Sequence, residues 1–304
     1  MTRIALVTAI AAAGVDDDLA PLLGACASAG LTAQVRAWDD PTVGWGRFDA
    51  AILRSPWDYV PRLTEFLAWS AHVSTQTRLI NPLPIVRWNT DKHYLADLAA
   101  RGVPIVPTAF VEPDMEPMPA LEAFLAAHSH ATEFVVKPSV GAGSKDAQRY
   151  ARTQEFAAAN HLARLLDADR SAMLQPYLAS VDEHGETALM YFSGEFSHAI
   201  RKGALLRLDE GPTNHLFAAE AIASRLPSQE ERALADRVIA AARDALRLDE
   251  APLYARVDLI RDDTGQPCLL ELELCEPSLF FAHAPGSAER FAALLAKTLS
   301  GVPA

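Results

Sequence analysis

Residues 253–260 (LYARVDLI) and 268–277 (CLLELELCEP) decide how this chain is read. Both runs alternate apolar and polar residues, the period of a β-strand with one face in a core. Side chains two residues apart share a side, so Glu271 and Glu273 face together on the second run and Arg256 and Asp258 on the first. Gly265-Gln266, glycine first, suits a two-residue hairpin turn. That turn predicts Asp258 opposite Glu273 and Ile260 opposite Glu271. Three carboxylates then crowd one patch of sheet beside a guanidinium. Carboxylates so close repel and require a cation. All-oxygen ligation suits Mg²⁺, particularly Mg²⁺ that also grips phosphates. The plainer alternative is a solvated sheet face with scattered charges.

The chain has 304 residues, enough for two or three domains, and half are hydrophobic, ordinary for a globular protein. A net charge of −12 argues against a nucleic-acid partner. An acidic protein that binds a polyanion must concentrate a few Lys and Arg locally and screen the rest with metal. Cys26, Cys268 and Cys275 are odd in number, far apart and without metal-ligand spacing, which indicates core residues in a reducing compartment. The sequence enters a strand-like run at residues 3–8 (RIALVT) with no signal-peptide pattern, and no apolar run reaches a membrane span. A cytoplasmic protein without membrane contact is expected.

Three segments follow from the pattern. Residues 1–88 alternate apolar runs (4–8, 32–37, 49–53) with helix-like stretches such as 18–29, which stops at Gly30. This rhythm predicts a parallel sheet with packed helices, whose strand C-termini carry function. The third run ends in RSPWDY. There Arg54 and Ser55 face a ligand, or Trp57 and Tyr59 merely cover the sheet edge. Residues 89–178 open with a helix over 93–101. An edge strand over 103–108, interrupted by Pro104 and Pro107, and a proline-rich connector over 113–119 come next. A strand over 133–138 carries Lys137 and runs into SVGAGSK at 139–145. Small residues let backbone N–H groups approach phosphate oxygens, although the spacing is neither that of a P-loop nor of a dinucleotide fingerprint. Residues 179–304 contain a hairpin (186–192, 196–201) ending in Arg201 and Lys202, and a polar loop at 203–212 long enough to be a lid. A helix over 229–246 with Leu234, Val238, Ala242 and Leu246 on one stripe, the carboxylate hairpin, and a last helix over 289–299 complete it.

The order of Lys92, then Val136-Lys137-Pro138 with its glycine loop, then Gln175-Pro176-Tyr177-Leu178, then Asp258, Glu271 and Glu273 resembles the ATP-grasp superfamily. It is nearest the glutathione-synthetase and ribosomal-protein-S6-modifying type. Within that type, LRSPWDY, NPLPIVRWNTDK and LLELELCEPSLFF resemble the branch that contains D-cycloserine synthetase, a cyclo-ligase of O-ureido-D-serine. The resemblance implies an α/β ATP-grasp fold: an N-terminal parallel-sheet domain, a central lid domain and a C-terminal antiparallel-sheet domain. It implies ATP and Mg²⁺ as cofactors, an amino-acid substrate and a homodimer or larger assembly.

Carried over residue by residue, the resemblance puts Lys92 and Lys137 on the nucleotide phosphates, under a flap formed by Gly141, Gly143 and Ser144. Gln175, Tyr177 and Leu178 become the adenine hinge, and Glu186 the ribose ligand. Arg201 and Lys202 face phosphates or substrate. Asp258, Glu271 and Glu273 are the Mg²⁺ ligands, and Arg256 steadies the oxyanion. Two departures stand out: relatives carry Asn where this chain has Glu273, and Pro176 has no hinge N–H to offer. The implied chemistry is activation of a carboxylate as an acyl phosphate for attack by an amine. The substrate pocket is expected among Arg54 and Ser55, Asn214 and His215, and Ser278 and His283. An intermolecular amino-acid ligase and a non-catalytic ATP-binding protein are the alternatives.

Overall fold

A computed structural model describes residues 2–208, 210–211 and 221–301. The first sheet contains β1 (Arg3–Thr8), β2 (Thr32–Ala37), β3 (Ala50–Ser55) and β4 (Arg78–Ile80), in the order β2-β1-β3-β4 and all parallel. Every residue of β3 is buried, as expected of a strand covered on both faces. Helices α1 (Leu19–Ser28) and α2 (Leu63–Val73) flank it. Helices α3 (Leu83–Asn89) and α4 (Tyr94–Ala99) lead away.

The second sheet is antiparallel, in the order β5-β8-β6-β7. Its strands are β5 (Ala109–Val111), β6 (Glu133–Pro138), β7 (Gln148–Ala151) and β8 (Ala172–Pro176), and α5 (Pro117–Ala127) and α6 (Glu155–Leu166) cover it. The expected edge strand over 103–108 is corrected. Prolines at 104 and 107 withhold donors, and what forms is a single parallel bridge, Ile105 to Leu269, before β5. The expected connector over 113–119 in fact opens α5, whose first turn accommodates Pro117 and Pro119 because its N–H groups are unpaired anyway.

The third sheet is antiparallel, in the order β11-β10-β9-β12-β13. It is built from β9 (Glu186–Phe192), β10 (Glu195–Lys202), β11 (Ile222–Ser224), β12 (Tyr254–Arg261) and β13 (Pro267–Glu273), with the one-and-a-half-turn helix α7 (Ser180–His184) before it. Helix α8 (Gln229–Ala245) starts at a Ser228–Glu231 capping box and buries Leu234, Ala235, Val238, Ile239 and Ala242 against the sheet. The last helix, α9 (Ser287–Leu299), returns to the first sheet and packs Phe291 and Leu295 with Ile4, Leu6 and Leu22. No helix among the described residues is long and apolar enough to cross a membrane.

The hairpin register differs from the expectation. Asp258 pairs with Glu271 and Arg256 with Glu273. The connection spans residues 262–266, because the Asp262 carboxylate accepts from the N–H groups of Thr264 and Gln266 and widens the turn. A bulge between Asp258 and Leu259 then shifts the ladder.

β13 lies at a sheet edge, yet side chains from the α3–α4 region complete its hydrogen bonds. The Leu272 N–H donates to the Tyr94 hydroxyl (2.9 Å), and Asn89 Nδ2 donates to Leu272 O (2.8 Å). The Leu274 N–H donates to Asn89 Oδ1 (2.6 Å), and Asn81 Nδ2 donates to Leu274 O (2.8 Å). Accordingly Ile85, Tyr94, Leu95 and Leu98 pack into the third sheet's core. Packing thus crosses the segment boundary expected near residue 88. Asn89→Ala should leave two buried backbone groups unpaired and destabilise the fold by about 2–4 kcal/mol. Urea unfolding measures this, and a loss below about 1 kcal/mol would show that the edge is held without Asn89.

Candidate active site

A cavity of about 480 Å³ opens where the three sheets meet. Glu271 and Glu273 line it, Asp258 is buried just behind them, and the three can each offer an oxygen within 4.8 Å of the others. Alternation along two paired strands puts them on one face, and the Leu270 side of the bulge turns into the same cavity.

Basic groups surround this cluster. Arg256 donates from Nε to Asp258 Oδ1 (2.9 Å) and from Nη2 to Asp258 Oδ2 (2.9 Å), and also bonds Glu273. Lys202 Nζ is 2.8 Å from both Asp258 Oδ2 and Glu186 Oε2. Lys92 Nζ is 2.9 Å from Glu271 Oε1 and donates to Gly141 O at 2.9 Å. Lys137 makes no ion pair among the described residues, although it lines the same cavity.

The charges divide unevenly. Burial raises the Glu273 carboxyl to about 8; repulsion by Glu271 and Asp258 adds to this, and Arg256 only partly opposes it. Burial acts the same way on Asp258, but Arg256 and Lys202 overcome it and hold that carboxyl at about 2. Burial lowers the Lys137 ammonium to about 8, with Lys92 and Lys202 repelling it and Glu271 favouring it. The site therefore has one carboxylate short of positive charge and one lysine short of negative charge. A divalent cation on the carboxylates and an anion against Lys137 would relieve both. The donors are all oxygen, with neither thiolate nor imidazole, which suits Mg²⁺.

The glycine loop and hinge form the cavity's other wall. Gly141, Gly143 and Ser144 line it, and Gly143 sits at φ 60°, a conformation glycine adopts without strain. In the hinge the Tyr177 N–H donates to Glu133 O (2.9 Å), and Pro176 has none. Leu178 lines the cavity beside them, and its N–H bonds no acceptor among the described residues. Gln175 is pinned through its amide to Thr108 Oγ1 (2.8 Å). The Arg149 guanidinium lies 3.5 Å over the Tyr177 ring.

Several expectations are corrected. Strand alternation sends Lys202 into the cavity and Arg201 away from it, where Arg201 Nε donates to His184 O (2.7 Å). Arg54 is 0% exposed and off the cavity wall: Nη2 donates to Pro277 O (2.6 Å), and Asp18 lies 4.0 Å away. Ser55 is also buried, donating to Thr8 Oγ1 (2.9 Å). Both sit behind the wall because β3 is enclosed on each side. Ser278 and His283 line the cavity. Asn214 and His215 lie outside the described residues.

Sequence reasoning missed the loop at 15–18 and Glu276. The Asp18 carboxylate accepts from the N–H groups of Phe280 (3.0 Å) and Phe281 (2.9 Å) and bonds that of Leu279. Tyr59 donates to Glu276 Oε1 (2.7 Å), and Trp57 Nε1 donates to Glu276 O (3.0 Å). The run Asp16-Asp17-Asp18 soon after the first strand was a visible signal for the loop.

The raised Glu273 carboxyl has a consequence for pH. Its contribution to stability is fully present below its ordinary value of 4.5 and is lost as pH rises through about 8. With chelator present, thermal unfolding across this window should show that decline. Glu273→Gln should flatten it, and saturating Mg²⁺ should do the same. A slope unchanged by the substitution would assign the titration to another group.

The family model for the N-terminal domain of D-cycloserine synthetase DcsG matches residues 4–81. The cycloserine biosynthesis protein DcsG of Streptomyces lavendulae is 48% identical over 299 residues, which span 98% of this chain and 99% of that protein. A crystal structure of D-cycloserine synthetase DcsG superposes with a TM-score of 0.93 at 47% identity, over 98% of this chain and 99% of the other. The ATP-grasp ligase PsnB, solved with a minimal precursor, Mg and ADP, shares the fold with a TM-score of 0.61 at 17% identity, over 97% and 98% of the two chains. With near-half identity along almost its full length, the chain belongs to the D-cycloserine synthetase DcsG family of ATP-grasp ligases.

Proposed function

We propose that this ATP-dependent ligase closes D-cycloserine from O-ureido-D-serine. The carboxylate is activated as an acyl phosphate and attacked by a nitrogen of the same molecule. The carrying observation is the pairing of a carboxylate cluster that wants a divalent cation with Lys137, which has no ion pair among the described residues and wants an anion, at one cavity. The near-identity in length and the 48% identity to DcsG support the choice of substrate.

Asp258, Glu271 and Glu273 would hold Mg²⁺, which when bound draws charge from the γ-phosphate. Lys137 and Lys92 bind phosphate oxygens, and the loop of Gly141, Gly143 and Ser144 covers them. Leu178 N–H reads the adenine edge, since neither Pro176 nor Tyr177 has a free donor. Glu186 takes the ribose side. The substrate carboxylate oxygen attacks the γ-phosphorus and ADP leaves. The oxygen-bound nitrogen then attacks the acyl carbon, and Arg256 steadies the developing oxyanion while phosphate departs. Giving up the ureido carbon as CO₂ and ammonia, with one water consumed, balances substrate against product. Holding the chain folded brings nitrogen and carbonyl together and replaces a bimolecular encounter. No protein nucleophile is needed.

ADP release with O-ureido-D-serine, with products followed by mass, tests this reading. ADP and D-cycloserine should appear with no added amine; strict dependence on a second amine would favour an intermolecular ligase. Lys137→Met should lower kcat/KM for ATP by about a hundredfold or more, as expected when one phosphate clamp is removed. An unchanged value would remove Lys137 from the nucleotide.

A further inference from the structure

Glu276 lies three residues past Glu273, on the cavity wall with Trp57, Ser278 and Phe280. It is 9% exposed. Its backbone oxygen accepts from Trp57 Nε1 (3.0 Å) and its Oε1 accepts from the Tyr59 hydroxyl (2.7 Å), so two aromatic side chains fix its position. The Cys275 thiol beside it is a weak donor. No cation pairs with the carboxylate among the described residues. Lys92 and Arg256 are near enough for their fields to reach it, but Lys92 is engaged by Glu271 and Arg256 by Asp258 and Glu273. A carboxylate buried this far without a counter-charge is costly, and rigid positioning prevents its escape to water. It also stands outside the group of Asp258, Glu271 and Glu273 that can close on one metal ion.

We propose that Glu276 anchors the α-ammonium group of the amino-acid substrate, an inference that deepens the ligase reading above and rests on it. In an amino acid the ammonium nitrogen is one carbon removed from the carboxyl carbon. Its anchor must therefore lie beside the cluster that handles the reacting carboxylate, not within it. Glu276 meets that condition. Of the other buried acids on this wall, Asp18 is taken up by the N–H groups of Leu279, Phe280 and Phe281. Asp16 accepts from the Asp18 N–H (3.0 Å) and lies in the field of the Arg54 guanidinium, with its second oxygen unbonded among the described residues, so Asp16 serves as the control. The ammonium completes the charge that Glu276 lacks, and the anchor selects α-amino acids over hydroxy acids of the same shape.

The test compares D-serine with D-glycerate, which carries a hydroxyl for the ammonium, binding to the protein loaded with Mg-ADP, by calorimetry. The wild type should prefer D-serine by about ten- to a hundredfold, the range for a charged hydrogen bond. Glu276→Gln should bring the two within about twofold while Mg-ADP affinity stays unchanged, and Asp16→Asn should keep the preference. Tyr59→Phe keeps the charge but frees the carboxylate; it should weaken D-serine and leave D-glycerate alone. A preference that survives Glu276→Gln, a wild type with no preference, or a Tyr59→Phe effect equal on both probes overturns the anchor. Absence of ADP release from O-ureido-D-serine would sink the ring-closing reading, while this binding comparison would still decide the role of Glu276.

Discussion

The structure turns on a buried charge problem: three carboxylates on two paired strands, held together by one guanidinium and two ammonium groups. Like charges at this spacing repel, and burial penalises each of them. Arg256 cannot satisfy both of its acids. It favours Asp258, where Lys202 assists, while burial and the neighbouring acids hold the Glu273 carboxyl up at about 8. Such a cluster is poised for a divalent cation. When a cation displaces its proton, Glu273 supplies a negative charge that an amide at the same position could not.

Holding such a cluster rigid requires support from elsewhere in the chain. β13 is an edge strand, and an unpaired edge would let its carboxylates drift. Asn81, Asn89 and Tyr94 close that edge with side-chain hydrogen bonds. Beyond the strand, residues of the first sheet and its loops grip residues 276–281: Asp18 takes a run of N–H groups, Arg54 takes Pro277 O, and Trp57 and Tyr59 take Glu276. Phe280 is held there in a left-handed conformation (φ 53°), strained for a residue with a Cβ and maintained by the bonds around it. The parallel sheet thus contributes to the site by bracing its wall; Arg54, its most deeply buried cation, works from behind.

The lysines come from different layers: Lys92 ahead of α4, Lys137 from the second sheet, Lys202 from the third. Their convergence would let an acidic protein receive a polyanion. Lys92, Lys137, Lys202 and Arg256 are gathered at one cavity among acids that a divalent cation would neutralise. Lys137 makes no ion pair among the described residues, because the carboxylates are already engaged by its neighbours.

Much of this was legible in the chain. Short apolar runs marked residues 186–192 and 133–138 as strands with their final boundaries, and period-two alternation put Glu271 and Glu273 on one face. Lys137 and Asp258 were legible because strand ends and spacing determine which side chains share a surface, and Lys92 was legible through the family resemblance. Other features depended on contacts between distant segments. The hairpin register followed from an Asp262 side-chain turn and a bulge, and each single-residue shift re-pairs every side chain. Whether Arg54 met a ligand or a carbonyl depended on residue 277 packing above it, and Glu276 gained its place only through Trp57 and Tyr59, some 217 residues earlier. Periodicity along one strand is a local property that sequence alone determined; facing, register and charge compensation between strands are decided by long-range packing, so only the tertiary structure could decide them.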